Sequence, residues 1–162
     1  MATSTLIQNL NTGYVDGFGA AVTGLTGIMN RQQFETFLAG ETVAAGDVVC
    51  LDLSKTADSD KALYVVKTDS AATSKKAVVG VVVGSVQSDG ALTAGSKISV
   101  CIRGIASTKV SAAVAQGSYL SVSATAGQLD DTALAVTAPF GAIALEAAGA
   151  AGTIKAFVLG LF

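Results

Sequence analysis

The chain has 162 residues, of which 51% are apolar and only 14% charged, with a net charge of −2 and no histidine. That length suits one domain with an appended segment at most, and its scattered basic residues argue against a nucleic-acid binder, which needs clustered Lys and Arg to displace counterions from phosphates. The lack of histidine excludes serine–histidine and cysteine–histidine catalysis and histidine metal sites.

Residues 1–32 form the first segment. MATSTLIQNLNTGYVDGFGAAVTGLTGIMNR is rich in glycine and carries two charges, Asp16 and Arg31. It is too apolar for an ordinary disordered tail and too glycine-rich for a stable helix. An extended arm lying along another surface fits both facts, with Ile7, Tyr14, Phe18 and Met29 as its anchors; a floppy terminus is the plainer alternative. The start lacks a basic stretch followed by an apolar run, so no secretory signal is expected. The thiols Cys50 and Cys101, in apolar strand-like runs, then read as buried and reduced, with a disulfide as the alternative.

Residues 33–162 read as a β domain. NRQQFETFLAG is ambiguous: Asn30 and Gln33 could form a capping box with Phe34, Phe37 and Leu38 at helical spacing, or the Phe37 end could be a strand, which is favoured. Then come DVVCLDL, ALYVVKT, AVVGVVVGSV, SKISVCIRGIA, SYLSVSA, FGAIALEA and IKAFVLGLF, short runs rich in valine and isoleucine. Several alternate by two, as half-buried strands do. In ISVCIRGI, Ile98, Val100, Ile102 and Gly104 share one face, and Ser99, Cys101, Arg103 and Ile105 the other. VVGVVV is apolar on both faces and predicts a central strand. Turn clusters separate the runs: SKTADSDK, DSAATSKK, QSDGALTAG, ATAGQLDD and AAGAAG. The expected fold is all-β, a β-tulip or a barrel- or sandwich-like domain of short antiparallel strands.

One phrase recurs: VAAGDVV (Val43–Val49), LTAGSKI (Leu92–Ile98) and VAQGSYL (Val114–Leu120). An apolar residue anchors the chain, a glycine permits a tight turn with φ > 0, and the next apolar residue starts a strand. Gly46, Gly95 and Gly117 are therefore the predicted turn glycines. The unequal spacing argues against a solenoid.

In order, AGETVAAGDVVCLD, KALYVVKTD, AVVGVVVGSV, GSKISVCIRGIAS and GSYLSVSATAGQL, with a final hydrophobic strand pair, resemble the β domain of tailed-phage capsid cement (decoration) proteins and of related head-fibre domains. The resemblance covers roughly residues 37 to 162 of the chain. It implies a non-enzymatic homotrimer on the outer surface of an icosahedral head, assembled in the host cytoplasm, with the major capsid protein as partner. The low charge density agrees with a subunit held in an assembly. The rivals are a head-fibre or receptor-binding module and a small β-barrel enzyme.

Other motifs carry less. GALTAGSK (Gly90–Lys97) misses the phosphate-binding GxxxxGK[ST] by one serine and precedes a strand pattern, whereas a P-loop opens a helix. Asp58–Asp60 and Asp130–Asp131 lack the spacing of a calcium loop and read as solvated turns. No CxxC suggests zinc, and nothing selects a pair of carboxylates for glycoside hydrolysis. No cofactor is expected. The longest apolar run is too short for a membrane helix, and the closing FVLGLF lacks the aromatic girdles of an outer-membrane barrel.

Overall fold

The computed structural model describes residues 32–131 and 140–159. The candidate anchors Ile7, Tyr14, Phe18 and Met29 lie outside the described residues. The elements are β1 (Gln33–Ala39), β2 (Val48–Leu51), α1 (Asp58–Leu63), β3 (Tyr64–Lys67), a 3₁₀ turn (Thr73–Lys75), β4 (Val78–Ser85), β5 (Lys97–Val110), β6 (Tyr119–Val122), β7 (Leu129–Asp130), β8 (Phe140–Ala144) and β9 (Gly152–Leu159).

The strands hydrogen-bond in the order β1-β3-β2-β4-β5-β7-β6-β8-β9, and β5 also pairs with both β1 and β9. Each half of the sheet thus closes on β5. One ring runs β1-β3-β2-β4-β5 and the other β5-β7-β6-β8-β9, making two small barrels fused along one strand. Closure pairs strand edges that an open sheet would leave exposed. The fold is all-β and barrel-like. Its strands are not all short or antiparallel: β5 has 14 residues, and β1–β3 and β5–β7 pair in parallel. A strand shared by two barrels must be long enough to complete both.

Two buried clusters follow from this plan. The first, inside the β1–β5 ring, includes Phe37, Val65, Val79, Ile98, Val100 and Ile102. The second, inside the β5–β9 ring, includes Val81, Cys101, Ala106, Leu120, Leu129 and Val158. β4 and β5 serve both. Val79 and Val82 point into the first cluster, Val78 and Val81 into the second. This is why VVGVVV is apolar on both faces. β5 passes from one core to the other between Ile102 and Ala106, and Gly104, with φ +113, stands at the crossing. That backbone angle is strained for any residue with a Cβ.

β1 is a strand, which resolves the ambiguity of NRQQFETFLAG. The turn expected over SKTADSDK instead contains α1, whose exposed first turn is held by an Asp58–Lys61 pair at 2.8 Å. Asp at the N-terminal turn and Lys three residues on is a favourable helical spacing, a local signal outweighed in the sequence by the Ser, Thr and Asp around it.

Candidate functional surface

The recurring glycines each stand just before a strand. Gly46 precedes β2, Gly95 precedes β5 and Gly117 precedes β6, with φ of +85, +86 and +84 respectively. In each turn the residue after glycine, or glycine itself, closes a hydrogen bond back across the bend: Asp47 N–H to the Ala44 carbonyl (3.0 Å), Ser96 N–H to Thr93 (3.0 Å) and Ser118 N–H to Ala115 (3.2 Å).

The first of these turns also carries a buried carboxylate. The Asp47 side chain is only 6% exposed. One oxygen accepts a hydrogen bond from Lys109 Nζ at 2.6 Å and the other from the Ala44 N–H at 2.8 Å. Lys67 Nζ stands 3.8 Å from the second oxygen. The carboxylate therefore joins the turn before β2 to the end of β3 and to the far half of β5. A buried anion is tolerated when paired and hydrogen-bonded, as here. The node clamps three segments together.

Two further carboxylates line a shallow recess of about 240 Å³ with Gly40, Ser54 and Lys75. Glu41 accepts the Lys67 N–H at 2.7 Å. Asp52 accepts the Ser54 N–H at 3.1 Å and its hydroxyl at 2.5 Å. Each acid thus holds backbone in place. Cys50 and Cys101 are free and buried. Burial pushes both thiols up to about 11, so neither is a ready nucleophile at neutral pH.

The other sequence candidates are dispersed. Gly95 leads into β5 and not into a helix, so the Gly90–Lys97 stretch has no helix N-terminus to offer a phosphate. Asp131 accepts the Ala115 N–H and Asp130 the Ser111 hydroxyl. Among the described residues, no group of three or more acidic or cysteine side chains is placed to hold a metal ion, and no helix is long and apolar enough to cross a membrane.

The outer face of the second ring is different. Tyr119 of β6 pairs with Ile143 of β8, Ile143 with Phe157 of β9, and Phe157 with Ile105 of β5. Four large apolar residues stand side by side across four adjacent strands. Their neighbours along each strand, Leu120, Ala142, Ala144, Ala156, Val158 and Ala106, are buried in the second core, so the row faces outward. Tyr119 is 52% exposed; Ile143, Phe157 and Ile105 are partly exposed. Exposed Arg103, Ser107 and Lys155 flank it. Alternation marks each of these residues as outward-facing, yet nothing in the linear sequence aligns them. No protein-family model matches the chain, and no curated protein matches it.

Proposed function

We propose that this chain is a structural cement protein that binds the outside of a tailed-phage head and stabilises the shell as a homotrimer, with the major capsid protein as its partner. The observation that carries the reading is the pairing of a twice-closed β body with an outward row of four large apolar side chains. Such a body supports a fixed binding surface, and the row supplies apolar area for burial against neighbours. The inspected carboxylates at Glu41, Asp47 and Asp52 hold backbone or pair with lysine, which suits a scaffold. Stabilisation would come from interfacial burial: contacts of about 1,000 Å² or more, repeated over a shell, raise the cost of local opening.

The test is binding to expanded tailed-phage capsids stripped of decoration. Purified protein should saturate a fixed number of lattice positions and raise the temperature at which the shell releases DNA. Absence of binding across a panel of such capsids would remove the reading.

A further inference from the structure

We infer that the Tyr119–Ile143–Phe157–Ile105 row is the contact through which one copy of this chain binds a second copy. The inference rests on the cement reading, and it names the face that builds the oligomer.

The first argument is geometric. The four side chains are in cross-strand register on β6, β8, β9 and β5. Strand spacing of about 4.8 Å makes the row about 14 Å long. With the partly exposed Leu145 and Leu159 beside it, it covers on the order of 300 Å², at the upper size for a patch left bare on a monomer. A stable interface needs about 800 Å² per partner, so the row fits its centre.

The second argument is the chemistry of the surround. An interface core is enriched in Tyr, Phe and Arg and depleted in Lys and Glu, while its rim is polar. Tyr119 and Phe157 lie in the row, and Arg103, Ser107 and Lys155 lie at its margin. Arg103 and Lys155 make that margin basic. The same chain supplies exposed carboxylates away from the row: Glu35 and Asp89 form no ion pair among the described residues. A rotational trimer joins two different patches of the same molecule. A basic-rimmed apolar row on one copy and an acidic surface on the next meet that requirement without a foreign partner.

The experiment is sedimentation of the full chain across nanomolar to micromolar concentration, with Tyr119→Arg compared with Val86→Arg. Both parent side chains are exposed, at 52% and 54%, so both variants should keep the wild-type melting profile. Expected is a wild-type oligomer at micromolar concentration, weakened at least tenfold by Tyr119→Arg and unchanged by Val86→Arg. A monomeric wild type, or equal association of both variants, overturns the contact.

A second measurement needs no variant. Tyr119 is nitrated in the wild type above and below the dissociation concentration and quantified by peptide mass. Protection only above it supports the contact. Protection independent of concentration places a segment of the same chain over the row, and protection only on capsids places the coat protein there; either result overturns the inference. A monomer that still decorates capsids sinks this contact and leaves the cement reading standing. A row-dependent oligomer that binds no capsid does the reverse.

Discussion

Replacing Asp47 by alanine tests whether the buried carboxylate holds the two rings together. The change removes a 2.6 Å pair with Lys109, a 2.8 Å acceptor for the Ala44 N–H and a second cation at 3.8 Å. Breaking a fully buried pair costs about 3–5 kcal/mol because a charge is left stranded. Here the lysine side chains are 32% and 30% exposed and can recover water, so the lower part of that range applies. A charged hydrogen bond contributes about 1.5–3 kcal/mol, and the expected loss is about 2–3 kcal/mol. For a domain of this size that is roughly 5–10 °C in Tm. Asp47→Asn keeps the shape and an acceptor, and should lose about half as much. Urea unfolding of Asp47→Ala, Lys109→Met and the double variant gives the coupling directly. A coupling of at least about 1 kcal/mol is expected, little changed by molar salt because the carboxylate is shielded. A coupling below about 0.3 kcal/mol would refute the argument that the node clamps β5 to the turn before β2.

Gly117→Val should cost roughly 1–3 kcal/mol from backbone strain alone, since a Cβ there meets no atom within 4 Å; an unchanged melting curve would remove the turn argument. Gly46→Val should cost at least as much, because the added carbon also lies 3.4 Å from Lys109 Cγ. The two thiols make stability pH-dependent on the alkaline side. They ionise near 9.0 when unfolded but only at about 11 when folded, so their contribution is complete below pH 9 and falls as pH rises toward 11. Urea midpoints measured from pH 8 to 11 should fall, and Cys101→Ala should flatten part of the slope. Deleting residues 1–31 should leave a folded β body by circular dichroism while lowering capsid occupancy at equal concentration; equal occupancy would assign the contact to the β domain itself.

What this sequence determined unaided is local. Valine-rich runs with a period of two announce strands because side chains alternate across a pleat. Glycine between apolar anchors announces a turn because only glycine adopts φ near +85° without strain, and Gly46, Gly95 and Gly117 have that backbone. The two-faced apolarity of Val78–Val82 marks a central strand. α1 was harder to read, because six helical residues offer too few turns for a period to stand out among Ser, Thr and Asp. The tertiary structure decided everything that depends on pairing between distant strands. Closure of both rings on β5 rests on pairings such as Glu35 with Val100 and Ile105 with Phe157, whose register is set by hydrogen bonds and bulges absent from any local pattern. Asp47 meets Lys109 for the same reason. So does the outward row: Ile105, Tyr119, Ile143 and Phe157 are each ordinary alternating residues in the chain, and they become one surface only when four strands lie side by side.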